Sequence, residues 1–576
     1  MSVFHASSGV ASLQFGKGNS LGVAARSEGI AEAGGREIKV ADAIARVLKD
    51  EGVEHLVCYP RNLLIDRCVE AGLRPIICRQ ERVGAGIADG ISRSTNGSQI
   101  GVFAPQGGPG IENSFSGVSQ SFSDGIPLLV LPGPAPMGRS HTPPTFSAVD
   151  NFAHITKWGC ELDDPARLWE LMRRAFHNLY SGATGPVLIE AIGDITEAEC
   201  GEYAYRPTHR VRSAPDPEAI RLAADVLLAA KRPVIQAGQG ILFAGATAEL
   251  VRVAELLQAP VLTTNPGKSS FPEDHPLALG AMVNSAPKMA FAFLKDADCV
   301  FGAGTSLSRV NWAPKIPPGK TIVHLTNDPL DINKDWFTDA AILADAKLAL
   351  KALADEIVGR KHVAARDAVA EVDAVRKAWE TEWAPELTST EKPINQYRVI
   401  RDLYALLKDR RTIVTHEAGS PREQMIPFWQ SRTPRDYLGW GKSTSLGAGL
   451  GMIMGAKLAN PDAVCVNVMG DASIGMVGMD IETAVRNRIG IITIVFNNGI
   501  MAGERLGMER AIEQYHAIDL GGDYRMVAAG LGAWSKRIEN VEDFAPAARE
   551  ALDVTAAGRP ALIEVMAKEC THFSRY

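Results

Sequence analysis

The stretch from Val466 to Gly503, VNVMGDASIGMVGMDIETAVRNRIGIITIVFNNGIMAG, decides the fold. An apolar strand from Ala463 to Met469 runs into Gly470-Asp471. A helix-like stretch follows, then a second apolar strand from Ile491 to Phe496 that ends at Asn497-Asn498-Gly499. This strand–helix–strand pattern predicts two parallel strands with Asp471 and Asn498 at their carboxyl ends, the edge where open α/β sheets bind ligands. Asp and Asn side chains beside a backbone carbonyl offer hard oxygen ligands. Mg²⁺ held by so few protein groups takes its other ligands from phosphate and water. The residues alone therefore point to a Mg²⁺–diphosphate site. The plain alternative is a buried strand–turn–helix unit with Asp471 as a polar cap.

Bulk properties narrow the field. A chain of 576 residues predicts three or four domains. With 46% hydrophobic and 22% charged residues it has a globular composition. A net charge of −7 leaves no basic footprint for nucleic acid. No apolar run reaches the ~18 residues of a membrane span. The eight cysteines form no CxxC pair and read as reduced core residues of a cytosolic protein. Residues 1–36 are rich in Ser, Gly and Ala and read as a tail; Lys17 and Arg26 ahead of Glu28 leave an organellar transit peptide as the second reading.

Working outward, helix-like and strand-like stretches alternate in three blocks, which argues for parallel sheets. The expected domains are 37–205, 216–358 and 386–570. The first carries strands at His55–Cys58, Ile100–Ala104, Pro127–Leu131 and Pro186–Ala191. The second carries a helix from Pro217, a helix at Ala244–Leu257 and strands near Val234, Pro260, Cys299 and Ile322. A charged helical stretch, Ala344–Glu382, leads to the third, which opens with a helix at Asn395–Leu407 and a strand at Thr412–Thr415. The closing His572-Phe573-Ser574-Arg575-Tyr576 reads as a tail over a site or a frayed end.

The Gly470-Asp471 and Asn497-Asn498 motifs together resemble the fingerprint of the thiamine diphosphate (ThDP) enzymes. The resemblance implies that Asp471, Asn498 and the Ile500 carbonyl hold Mg²⁺, with Gly470, Ala472 and Ser473 beside the diphosphate. Ala472 stands where glycine is usual, and Ser473 is expected to donate its hydroxyl. CRQERVGAGIADGISRSTNG (78–97) is similar to the family segment that carries the activating glutamate, which falls on Glu81. A carboxyl there hydrogen-bonds the pyrimidine ring nitrogen and favours the imino tautomer of the cofactor. Gln106-Gly107-Gly108-Pro109-Gly110 resembles the family's Gly-Pro-Gly turn, with Gly108 near the cofactor and Gln106 near the reacting carbon. In WGKSTSLGAGLGMIMGAKLA (440–459), Leu446 falls on the apolar wedge between the cofactor rings. Glu417 and Gly419 match an acidic-x-Gly loop near the diphosphate. GKSSFPEDHPLALG (267–280) looks like the middle domain of acetolactate-synthase-like enzymes. The implied fold is three doubly wound α/β domains: pyrimidine-binding, middle and diphosphate-binding.

The implied activity is 2-oxoacid decarboxylation, carboligation or lysis, in a homodimer or homotetramer whose sites lie at a subunit interface. Departures from the pattern bear on substrate. Phe146-Ser147 replaces a Phe-Gln pair, Ile192-Gly193-Asp194 replaces a Pro-Lys-Asp turn, and the early Gly-x-Pro-Gly loop reads Cys58-Tyr59-Pro60-Arg61-Asn62. Arg61 is a candidate partner for an acidic or phosphorylated substrate group, with a surface arginine as the plainer reading. Glu504 is a candidate proton donor, its carboxyl raised by burial, alongside His416, Gln106 and Ser147. Two alternatives stand beside the enzyme: a ThDP-binding regulatory subunit, and a 2-oxoacid oxidase using FAD. GQGILFAG (238–245) is too weak a glycine loop to support FAD by itself.

Overall fold

Three six-stranded sheets, parallel throughout, organise the chain. The computed structural model describes residues 37–576 except 135, 136, 140, 141 and 365. The reading of residues 1–36 as tail or transit peptide lies outside the described residues.

The first sheet is built from β1 (His55–Cys58), β2 (Arg74–Ile77), β3 (Gly101–Ala104), β4 (Leu128–Val130), β5 (Trp158–Leu162) and β6 (Val187–Ala191), in the order β2-β1-β3-β4-β6-β5. The second comprises β7 (Pro233–Ala237), β8 (Val261–Thr264), β9 (Ala278–Met282), β10 (Cys299–Ala303), β11 (Thr321–Thr326) and β12 (Ala340–Leu343), ordered β12-β11-β10-β7-β8-β9. The third contains β13 (Thr412–His416), β14 (Tyr437–Leu438), β15 (Val464–Gly470), β16 (Ile491–Asn497), β17 (Trp534–Ile538) and β18 (Ala561–Met566), ordered β14-β13-β15-β16-β18-β17. The first and third sheets share one topology. Strand order reverses between β1 and β3, between β7 and β10, and between β13 and β15. At such a reversal the following loops diverge to opposite faces and leave a crevice at the carboxyl edge.

The central strands are mostly apolar on both sides because helices cover both faces. β3, β7, β10 and β16 are buried at every residue. Helix starts follow capping chemistry. Asp216 accepts the N–H of Glu218 ahead of helix Pro217–Ala229, and Asp345 accepts those of Lys347 and Leu348 ahead of Ala346–Gly359.

Helix Glu81–Ser94 of the first domain packs directly on helix Ala448–Ala459 of the third, and glycines make this close approach possible. A Cβ on Gly90 would lie 2.0 Å from the Met452 carbonyl oxygen, and one on Gly455 would lie 1.9 Å from that of Ile87.

The structure corrects several expected elements. Seven strands went unread: β2, β5, β9, β12, β14 and β17, which are the six short strands at sheet edges, and interior β18. The helix expected from Ala244 is two, Gly240–Ala244 and Thr247–Leu257, broken at Gly245, whose φ of +62° ends the first. The charged stretch is also two helices, Ala346–Gly359 and Ala368–Leu387. The C-terminal tail is docked, not frayed. Trp379 Nε1 donates to Ser574 Oγ at 3.0 Å, and that hydroxyl donates to the Ala286 carbonyl at 2.6 Å.

Candidate active site

β15 and β16 carry the metal-type residues to one edge. Asp471 opens a helical turn directly after β15 and is 4% exposed. Its Oδ2 accepts the N–H of Asn498 at 3.1 Å and of Gly499 at 2.8 Å; Oδ1 accepts that of Ala472 at 2.8 Å. Burial pushes the carboxyl upward, and these backbone donors pull it back. Asn498 Oδ1 accepts the Ile500 N–H at 3.2 Å, and Gly499 takes φ +73° to close the turn. The two halves of the motif are therefore in direct contact.

Asn497 is held from behind. Its Nδ2 donates to Glu564 Oε1 at 2.8 Å. Glu564 is fully buried on β18 and also accepts the N–H groups of Tyr524 and Arg525 and the Nε–H of Arg537. Sequence reading missed Glu564. The available signal was a lone acid inside an otherwise apolar strand.

Ser473 differs from expectation. Its hydroxyl donates to the Gly470 carbonyl at 2.9 Å, so its proton is already committed. Glu417 sits at the end of β13 with no exposure, and its carboxylate accepts the N–H of Ala418 at 3.0 Å and of Gly449 at 3.2 Å. It thereby fastens the turn that carries Leu446. Burial raises its carboxyl to about 7, against the lowering pull of backbone N–H groups.

Gly419 adopts φ +84° ahead of helix Ser420–Phe428, and nothing lies within 4 Å of where its Cβ would be. Gly470 has only Pro421 Cγ at that distance. The crevice between β13 and β15 is thus open and bordered by glycine backbone. Its donor set is a carboxylate and an amide oxygen, each with lone pairs to spare. These residues fit a hard divalent cation carrying a diphosphate.

Glu81 lies in the first turn of helix Glu81–Ser94, 5% exposed, and accepts Asn113 Nδ2 at 3.3 Å. A Cβ on Gly110 would meet Gln106 Cβ at 2.8 Å and Glu81 Oε1 at 3.3 Å, so Glu81, Gln106 and Gly110 form one cluster. Gly108 takes φ +65° as the turn enters helix Pro109–Asn113. Arg82, next to Glu81, donates to the Leu446 carbonyl, and Gln120 Oε1 accepts the Ser445 N–H at 3.2 Å. The backbone at Ser445 and half-buried Leu446 is therefore held against the first domain within a single chain.

Two proton-donor expectations need correction. Glu504 lies in a short 3-10 turn, Ala502–Glu504, and is exposed, so the burial expected to raise its carboxyl is missing from this chain. His416 is fully buried, stacks on Trp440 at 5.3 Å, and burial pushes it down to about 3. It stays neutral and sealed. Ser147 caps helix Ala148–Phe152 by accepting the Asp150 N–H.

The middle sheet has its own crevice where strand order reverses. Cβ atoms on Gly238 and Gly240 would lie 2.4 and 2.8 Å from the Gly304 carbonyl oxygen. The adjoining cavity of about 230 Å³ is lined by Gln236, Gln239, Phe243, Thr305, Asp345 and Lys442 among others. Among the described residues no group of three or more His, Cys, Asp or Glu could hold a metal, and no helix is long and apolar enough to cross a membrane. All eight cysteines are free.

Two sheets of one topology, each with a polar cluster at its crevice and joined through one close helix pair, form the frame of a site divided between two domains. Three family descriptions match the chain: thiamine pyrophosphate enzyme, N-terminal TPP binding domain (residues 38–154), central domain (220–353) and C-terminal TPP binding domain (417–565). The chain belongs to the thiamine pyrophosphate enzyme family, as an acetolactate synthase-like, ThDP-dependent enzyme of the carboligase and decarboxylase class. A probable acetolactate synthase large subunit of Methanocaldococcus jannaschii is 29% identical over 80% of both chains. Glyoxylate carboligase of Escherichia coli O157:H7 is 27% identical over 93% of this chain and 94% of its own. Acetolactate synthase isozyme 3 large subunit of Escherichia coli K12 is 26% identical over 80% of this chain and 82% of its own.

Proposed function

We propose that the chain uses ThDP and Mg²⁺ to cleave or form a C–C bond next to a carbonyl, acting on a 2-oxo acid or related carbonyl compound. The observation that carries the reading is the contact of Asp471 Oδ2 with the backbone of Asn498 and Gly499, which gathers oxygen ligands at one crevice. Asp471, Asn498 and the Ile500 carbonyl hold the metal. Gly419, Gly470, Ala472 and Ser473 border the diphosphate, and Glu417 fixes the turn that aims Leu446. Glu81 exchanges a proton with the pyrimidine ring, its carboxylate oriented by Asn113. Gln106 and Gly108 approach the substrate side, where Gln106 donates a hydrogen bond, and Glu504, solvent-exposed in the single chain, is assigned to proton delivery. When bound, ThDP supplies the electron sink for the substrate's carbonyl carbon. The protein's share is orientation, exclusion of water and fixed dipoles.

Carboligation is favoured over simple decarboxylation by the activities for which the relatives are named. A homodimer, or a dimer of dimers, is the assembly we propose. The exposed apolar side chains Phe115, Phe122, Met476, Met479 and Met526 on first- and third-domain helices support it. A cytosolic setting is supported by the free cysteines. A nucleotide-bearing cofactor such as FAD in the middle cavity is a second reading. It rests on the glycine-lined crevice there, and the visible spectrum of the purified protein tests it. Retention of Glu81, Asp471 and Asn498 argues against a purely regulatory subunit.

The test is Mg²⁺- and ThDP-dependent carbon dioxide release from a panel of 2-oxo acids, with and without acceptor carbonyls. Wild type should release it and Glu81→Ala should not; release that survives Glu81→Ala contradicts the assigned role.

A further inference from the structure

Tyr59-Pro60-Arg61-Asn62 follows β1 at the crevice of the first sheet, and Arg61 has φ +71°. Proline followed by a positive φ is a turn in which glycine or asparagine is the ordinary occupant. A long side chain there stores backbone strain, and such strain persists only where the surroundings over-determine it. The neighbours do so. Asn62 Nδ2 donates to the carbonyls of Pro105 and Leu131, each at 2.9 Å, and Asn62 Oδ1 accepts the Leu64 N–H. The turn is therefore bolted to the ends of both β3 and β4. A Cβ on Gly133 would lie 2.8 Å from Gly107 N and 3.4 Å from the Arg61 carbonyl oxygen. Gly107 adjoins Gln106, which shares a cluster with Glu81. Arg61 is exposed at this edge, and no described residue pairs with its guanidinium.

We infer that Arg61 selects substrates carrying a second carboxylate remote from the reacting carbonyl, a 2-oxo dicarboxylate being the simplest case. This rests on the carbonyl-substrate reading above. A guanidinium offers paired N–H donors that match a carboxylate. The strained turn fixes where its stem leaves the backbone, one loop away from Gln106. Glycine at position 61 would relieve the turn and lose the cation, so retained strain and an unpaired charge point to the same use.

The test is the thermal shift of the ThDP–Mg²⁺ protein with 2-oxoglutarate against 2-oxobutanoate, for wild type and Arg61→Gly. Wild type should be shifted more by the dicarboxylate. Arg61→Gly should lose that difference while its ligand-free unfolding midpoint holds or rises, because glycine accepts φ +71°. Where turnover is measurable, kcat/KM for the dicarboxylate should fall at least ~10-fold and that for the monocarboxylate should change less than ~2-fold, the fall lying mainly in KM. Absence of a dicarboxylate preference in wild type, or its survival in Arg61→Gly, overturns the inference. Failure of ThDP and Mg²⁺ to bind at all would instead sink the cofactor reading.

Discussion

Glu417 carries an electrostatic cost at the edge of the crevice. It is fully buried, its neighbours are backbone donors, and burial lifts its carboxyl from the ordinary glutamate value to about 7. The folded form thus holds its proton more tightly than the unfolded form. Between about pH 4.5 and 7 the folded state binds more protons, so stability falls as pH rises through this window. Below it the cost is absent, and above it the cost is complete, on the order of 3 kcal/mol. Glu417→Gln should therefore gain on wild type in unfolding midpoint as pH rises through the same window. A difference that stays flat, or that favours wild type increasingly, would contradict the assignment. The position of Asp471 and Asn498 at strand ends was legible in the sequence because apolar strands lead straight into them, whereas Glu81 was singled out by resemblance. Glu564, Asn113 and Asn62 were not legible, because each acts on residues far along the chain. The φ of Arg61 was hidden for a related reason: Pro-Arg-Asn contains no glycine to announce it.

Among the elements, the pairing of helices Glu81–Ser94 and Ala448–Ala459 governs how the first and third domains meet. Gly86, Gly90, Gly451 and Gly455 let the two backbones nearly touch, and added Cβ atoms on Gly90 and Gly455 would fall 2.0 and 1.9 Å from carbonyl oxygens. Nothing flexible stands in the way, so the helices themselves must move. Gly455→Ala should cost about 1–3 kcal/mol, the usual range for overpacking, and should weaken ThDP binding by displacing Leu446, which precedes the same helix. An unchanged unfolding midpoint in Gly455→Ala would show that the helices do not pack this closely. Most strands of the sheet interiors were readable because they are mainly apolar; β18, with Glu564 in its middle, was not. Edge strands β2 and β5 were not, since half-exposed residues blur any period. Helix breaks at Gly245 and after Gly359 were hidden within stretches whose composition stays helical throughout.

Across the whole molecule, the three crevices present different side chains. The first sheet presents Glu81, Gln106 and Arg61; the third presents Glu417, Asp471 and Asn498. The helix pair links those two sheets, and a further cavity lies where the middle domain meets both, lined by Asp124 and Thr184 of the first and Lys442 of the third. Parallel sheets and the block order were legible from alternating strands and helices, but the packing of first domain on third was not, because glycine-rich helices resemble ordinary apolar ones. The central claim is that Asp471 and its partners hold a Mg²⁺–diphosphate. The most direct measurement is calorimetric titration of ThDP into wild type and Asp471→Ala, each with Mg²⁺ and with a chelator. The account predicts saturable binding by wild type that requires Mg²⁺ and disappears in Asp471→Ala. Binding that ignores both the metal and the substitution, or no binding by wild type, would contradict it.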